Sequence, residues 1–124
     1  MPVRVAYVDD EPDIREVAAL SLGLDPDIEV RVCASGPELL ALVQTWRPDV
    51  ILLDVMMPNM DGPATLAGLR REHPLLAAVP VVFITARTQA HEVDRFTALG
   101  AAGVITKPFD PMTLASTARS FLTK

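Results

Sequence analysis

The sequence predicts an α/β domain: a doubly wound, five-stranded parallel sheet in the order 2-1-3-4-5, with five helices. Three observations predict this class. Short apolar runs alternate with helix-like segments along the chain, which favours parallel strands joined by right-handed crossover helices. The third run, Val50–Leu53, is apolar throughout, as in a strand covered on both faces. The second, Ile28–Ala34, begins by alternating apolar and charged residues, which indicates an edge strand.

Five runs rich in β-branched residues and bounded by turn residues are the predicted strands. Most of them end next to a polar side chain. The predicted strands are Val3–Val8, Ile28–Ala34, Val50–Asp54, Val79–Thr85 and Gly103–Thr106.

Apolar residues recur at helical spacing in the segments between and after these strands. Ser35 and Asp110 are predicted to cap two of the helices, and proline suits several of the first turns. Gly23 and Gly100 mark two helix ends. The predicted helices are Pro12–Leu22, Glu38 to about Trp46, Pro63–Glu72, Gln89–Leu99 and Pro111–Leu122.

Composition limits the class of protein. The 124 residues, half of them hydrophobic, suffice for one globular domain over residues 1–124. The net charge of −5 argues against a nucleic-acid surface. Cys33 is the single cysteine, so no intrachain disulfide forms. No signal peptide or membrane-spanning run is visible, so we expect a cytoplasmic protein with no membrane partner, either complete or excised from a longer chain.

Chemistry-bearing residues follow four of the predicted strands. Asp9 and Asp10 follow the first strand, Asp54 ends the third, Thr85 ends the fourth and Lys107 follows the fifth. Taken alone, Asp54 is better explained as a polar residue that ends a strand. Together, the five residues are expected to meet at the carboxyl edge of the sheet, where doubly wound folds bind ligands at the switch point between strands one and three.

The carboxylates of this cluster require compensating positive charge. Two carboxylates about 4 Å apart repel by roughly 4 kcal/mol at an effective dielectric constant of 20. Lys107 supplies one positive charge, and Mg²⁺, which prefers carboxylates, waters and phosphate oxygens, would supply two more. A carboxylate in such a site can attack phosphorus and form an acyl phosphate, while Thr85 and Lys107 would stabilise the phosphoryl oxygens.

The chain resembles the receiver domains of two-component response regulators, including the stand-alone chemotaxis regulator, over its whole length. Each matching segment is weakly specific alone, but together and in order they are highly specific. The segments are Val8-Asp9-Asp10-Glu11-Pro12, Pro48-Asp49-Val50-Ile51-Leu52-Leu53-Asp54, Met57-Pro58-Asn59-Met60-Asp61-Gly62, Thr85-Ala86 and Lys107-Pro108-Phe109.

The resemblance implies a flavodoxin-like receiver fold and a role for each site residue. Asp54 is similar to the phospho-accepting aspartate. Asp9, Asp10 and Asp54, with the backbone carbonyl of Met56, would hold Mg²⁺. Thr85 and Lys107 are like the switch hydroxyl and the phosphate-binding lysine. Pro108 matches a cis proline.

The implied function is a switch and not an enzyme. A histidine kinase or histidine phosphotransfer protein would phosphorylate Asp54 in a two-component system or phosphorelay. Phosphorylation would then alter the face formed by the fourth helix, the fifth strand and the fifth helix, and so control binding of a downstream protein partner.

One position departs from the family pattern. The family usually has Tyr or Phe three residues before the lysine, and this chain has Val104. Valine is short and stiff at χ1, so we expect phosphorylation to occur without the aromatic part of the readout. Met56 and Arg87 lie two residues beyond Asp54 and Thr85, where the family tunes hydrolysis of the phosphoryl group.

Two other functions fit some of these residues. A degenerate receiver would bind partners without phosphate; Val104 favours this, whereas the complete set of site residues argues against it. An aspartyl-phosphate phosphatase of the haloacid dehalogenase class also uses Asp, Thr, Lys and Mg²⁺. That class places D-x-D-x-T after its first strand, but the candidate nucleophile here follows the third, and the chain has no room for a cap domain.

Overall fold

The computed structural model describes residues 2–86 and 88–122. Within them it contains five strands, five α-helices and a short 3-10 helix at Pro74–Leu76. The strands are β1 (Val3–Val8), β2 (Ile28–Cys33), β3 (Val50–Asp54), β4 (Val81–Thr85) and β5 (Gly103–Thr106). The helices are α1 (Pro12–Leu22), α2 (Gly36–Leu42), α3 (Gly62–Glu72), α4 (Ala90–Ala98) and α5 (Leu114–Ser120).

The five strands form one parallel sheet in the order β2-β1-β3-β4-β5. This confirms the predicted fold class and strand order. The order reverses between β1 and β3, so the carboxyl ends of these two strands flank the switch point. Because β1 and β3 pair in register, with Val8 opposite Leu53, Asp9 and Asp54 emerge side by side.

Apolar layers cover both faces of the sheet. Every residue of β3 and β4 is buried, as their continuous apolar sequences predict. One layer packs β-strand side chains under α2, α3 and α4, and the other packs them under α1 and α5. The edge strand β2 leaves Val32 39 % exposed, in agreement with its predicted position at the edge of the sheet.

Several element boundaries differ from those predicted, among them the end of α2 and the starts of α5 and β4. Helix α2 ends at Leu42, because the N–H groups of Gln44 and Thr45 donate three residues back instead of four. Helix α5 begins at Leu114, since the Asp110 carboxylate accepts from the N–H of Met112 and holds a turn there. Strand β4 begins after Pro80, which lacks a backbone donor.

The start of α3 is fixed to the end of β3. Asp61 caps the helix by accepting from the N–H of Ala64 at 2.9 Å. Gly62 donates its N–H to the Val55 carbonyl at 2.9 Å. A Cβ at position 62 would lie 2.8 Å from the Asp54 carbonyl oxygen, so the close approach of helix and strand requires glycine.

None of the helices in the described part of the chain has the length and apolar character needed to cross a membrane.

Candidate functional site

The acidic cluster predicted from the sequence is present at the switch point. One carboxylate oxygen from each of Asp9, Asp10 and Asp54 lies within 4.8 Å of the others. Asp9 is 0 % exposed and Asp54 is 2 % exposed, whereas Asp10 is more accessible. Buried carboxylates this close to one another need compensating positive charge.

Lys107 provides compensation from the end of β5. Its Nζ lies 3.1 Å from Asp9 Oδ2 and 3.3 Å from Asp54 Oδ1, so one ammonium bridges two carboxylates. The N–H of Lys107 donates to the Thr85 carbonyl at 2.9 Å, which holds the lysine next to the end of β4. The peptide bond between Lys107 and Pro108 is cis, as the resemblance implied.

The charge balance of the cluster perturbs its acid–base behaviour. Burial and the neighbouring Asp9 raise the pKa of Asp54 to about 6, although Lys107 and the N–H of Met56 oppose this shift. Burial alone would lower the pKa of Lys107, but its contacts with Asp9 and Asp54 raise the pKa above its usual value. The two contacts therefore favour the charged form of Lys107, whereas they only partly offset the effect of burial and of Asp9 on the charged form of Asp54.

These residues fit a hard divalent cation. Three carboxylates converge with one lysine between two of them, so their formal negative charge exceeds the one positive charge that the lysine supplies. Mg²⁺ commonly binds through one or two carboxylates and retains several waters. The backbone N–H of Met56 hydrogen-bonds to Asp54, whereas the Met56 side chain is 70 % exposed.

Thr85 lies where the sequence predicts it. It ends β4, is buried, and follows Ile84, which pairs with Asp54 across the sheet. Its neighbour on the other side is Thr106 of β5. The switch role of its hydroxyl stays a prediction.

Val104 occupies the position where the family usually has an aromatic ring. It lies on β5 opposite Phe83 and packs, half-buried, against the core under α4. The Phe83 and Phe96 rings are in edge contact there, with centroids 5.0 Å apart. The predicted effect of Arg87 on hydrolysis concerns a residue outside the described ranges.

Sequence reasoning missed one residue of this site. The Tyr7 hydroxyl donates to Asp9 Oδ2 at 3.3 Å, in a buried contact. The available signal was strand periodicity: residues two apart in a strand point to the same face, and Tyr7 precedes Asp9 by two. Burial, followed by the charge of Asp9, raises the pKa of Tyr7 well above its usual range, so the phenol stays a donor.

Known proteins are similar to this chain in both sequence and fold. The family model of the response regulator receiver domain matches residues 5–119. Response regulator Rre1 of Synechocystis is 33 % identical over 123 residues, which is 99 % of this chain and 53 % of that protein. The structure of chemotaxis response regulator CheY4 of Vibrio cholerae has a TM-score of 0.89 and 34 % identity, covering 98 % of this chain and 100 % of that one.

The chain spans about half the length of the first of these relatives. The same holds for the DNA-binding response regulator MtrA of Mycolicibacterium smegmatis, which is 33 % identical over 98 % of this chain and 51 % of that protein. Since a relative of this kind binds DNA, the expected lack of a nucleic-acid partner stays a prediction, limited to these 124 residues.

Proposed function

This chain belongs to the response regulator receiver domain family, and we propose on that premise that Asp54 is its phosphorylated residue. Phosphorylation on aspartate by a kinase is the general function of the family. The observation that supports Asp54 most strongly is the Lys107 bridge: the lysine that would receive phosphoryl oxygens already lies 3.3 Å from Asp54 Oδ1.

The proposed reaction is transfer from a phosphohistidine of a histidine kinase or phosphotransfer protein. A carboxylate oxygen of Asp54 forms a bond to phosphorus, and the bond from phosphorus to the imidazole nitrogen breaks. The electron pair of that bond returns to the imidazole, and the product is an acyl phosphate on Asp54. Lys107 neutralises charge on the phosphoryl oxygens, and Thr85 donates a hydrogen bond to one of them.

Asp9, Asp10, Asp54 and the Met56 carbonyl would hold Mg²⁺, which supplies positive charge to the transferring group. The protein's own contribution is to hold these carboxylates close together beside Lys107. These contacts matter most for Asp9, because it is fully buried and water cannot replace its partners.

The readout would pass through the face formed by α4, β5 and α5. Phe96 is the one residue of α4 that is buried among those described, so shifting this helix disturbs little packing. Val104 presents no ring that could swing toward Thr85. We therefore propose that the altered contacts of Thr85 and Lys107 displace α4 and change how this face binds a downstream partner.

The whole of residues 1–124 would act as one receiver domain and as a switch, without an enzymatic activity of its own. The experiment is intact-mass measurement after incubation with Mg²⁺ and acetyl phosphate, beside the Asp54→Asn variant. We expect one added phosphoryl group in the wild type, and none in the variant or without metal. No addition to the wild type, with Mg²⁺ binding shown separately, would favour the degenerate receiver instead.

A further inference from the structure

A single phenol reaches the metal-binding edge of the sheet from within the core. Tyr7, the one tyrosine of the chain, is fully buried on β1, and its hydroxyl donates to Asp9 Oδ2. We infer that the Tyr7 hydroxyl is a positioning group that fixes the Asp9 carboxylate for Mg²⁺ binding. This inference rests on the proposed Mg²⁺ site.

The acceptor capacity of Asp9 supports this role. An ionised carboxylate offers about four lone-pair sites. Among the described residues, Tyr7 and Lys107 contact Oδ2, at 3.3 Å and 3.1 Å, and the N–H of Glu11 contacts Oδ1 at 3.0 Å. Three sites are therefore taken, and the remaining capacity is on Oδ1. With the two oxygens held by different partners, the carboxylate cannot rotate without losing contacts.

The hydroxyl also affects how Lys107 is shared. Asp9 Oδ2 and Asp54 Oδ1 compete for the same ammonium. The Tyr7 hydroxyl is a second donor to Asp9 Oδ2. It compensates part of the charge of Asp9, so Lys107 can interact more strongly with Asp54. Tyr7 thus acts through Asp9 and Lys107 and not through direct contact with the phosphoryl acceptor.

Packing alone accounts for the ring but not for the hydroxyl. The Tyr7 ring lies in the core under α1 and α5 and meets the Phe109 ring edge-on, with centroids 6.2 Å apart. Phenylalanine would make these same contacts. The one feature that distinguishes tyrosine here is its hydrogen bond to a carboxylate of the cluster, and partners of metal-binding carboxylates typically change metal affinity 10–100-fold when they are removed.

The test measures Mg²⁺ affinity of the full chain by NMR titration, for the wild type and Tyr7→Phe. We expect the dissociation constant of Tyr7→Phe to rise by about tenfold, the lower end of that range. Tyrosine labelled with ¹³C at Cζ gives a second readout in the wild type. Because the chain has one tyrosine, a single resonance reports on this hydroxyl, and we expect it to shift with the same dissociation constant as the amides.

Val5→Ala is the matched control, because Val5 lies on the same strand and face, two residues from Tyr7, and is buried in the same layer. It should lower thermal stability but leave Mg²⁺ affinity unchanged. Equal affinity in Tyr7→Phe and wild type would overturn the inference and leave the proposed function standing. An equal loss of Mg²⁺ affinity in Val5→Ala would also overturn it, as would a Tyr7 resonance that does not shift when Mg²⁺ is added. Absence of Mg²⁺ binding to the wild type would overturn both.

Discussion

Lys107 Nζ lies 3.3 Å from Asp54 Oδ1 while the same atom lies 3.1 Å from Asp9 Oδ2. One ammonium thus serves two buried carboxylates, a metal-binding candidate and the proposed phosphoryl acceptor. The three carboxylates carry more formal negative charge than this one lysine supplies.

Replacing Lys107 tests the role of that charge. In Lys107→Met, phosphorylation by acetyl phosphate at saturating Mg²⁺ should slow by about 100-fold, as when a donor to a developing oxyanion is removed. Lys107→Arg keeps the charge and should retain more activity. Rates come from intact mass against time. A Lys107→Met rate equal to the wild-type rate would show that the lysine is dispensable for transfer.

The raised pKa of Asp54, about 6, predicts an unusual pH dependence of stability in metal-free protein. Between about pH 4 and pH 6 the folded state binds more protons at this group than the unfolded state, so stability falls as pH rises through this window. Asp54→Asn removes the effect. In EDTA, the melting temperature of Asp54→Asn should exceed that of wild type more at about pH 8 than at about pH 4.5.

The control for that experiment is Asp94→Asn, on the exposed surface of α4. It should follow the wild type at both pH values. If Asp54→Asn melted below wild type at the higher pH, the buried carboxylate would be net stabilising, and the proposed excess of negative charge would be wrong.

The close approach at Gly62 predicts a coupled loss of stability and function. In Gly62→Ala the new Cβ would lie 2.8 Å from the Asp54 carbonyl oxygen and 2.9 Å from Val55 Cα. Such overpacking costs about 1–3 kcal/mol of unfolding free energy, and phosphorylation should slow because α3 or the end of β3 must move. Urea unfolding and phosphorylation rates measure the two effects.

Gly68→Ala offers the comparison within the same helix. Its Cβ would meet the flexible end of Leu40 at 3.3 Å, and alanine favours a helix over glycine by up to about 1 kcal/mol. Its stability should stay within about 1 kcal/mol of wild type. Equal losses in the two variants would refute the special constraint at Gly62.

The fluorescence of Trp46 should not respond to Mg²⁺ binding at the acidic cluster. Its Nε1 donates to Glu29 at 2.8 Å, and the Arg4 and Arg31 guanidinium groups lie over its ring at 5.7 and 5.4 Å. Arg4 is five residues along the chain from Asp9, or about 16 Å at the rise of a strand. Mg²⁺ titration should leave Trp46 emission unchanged; a saturable change would indicate coupling across the sheet.

The fold and the main site residues could be predicted because they depend on periodic apolar runs and on the polar residue at the end of each run. The edge position of β2 and the convergence of Asp9 and Asp54 both follow from the strand order. That order could be predicted because β2 alternates apolar and charged residues, whereas β3 is a continuous apolar run. The start of α5 could not be predicted, since the Asp110 side chain can cap a helix or hold a turn, and the two choices look identical in sequence. The contact of Tyr7 with Asp9 could be predicted only by continuing the strand periodicity one residue past the end of β1, and the apolar pattern does not show that it continues.

Locating the phosphoryl group on the chain tests whether Asp54 is the phosphorylated residue. After treatment with Mg²⁺ and acetyl phosphate, borohydride reduces an acyl phosphate of aspartate to homoserine, and peptide mass spectrometry identifies the residue converted. We expect homoserine at position 54 and at none of the other aspartates. Conversion at Asp9, Asp10 or Asp61 with Asp54 intact would contradict it.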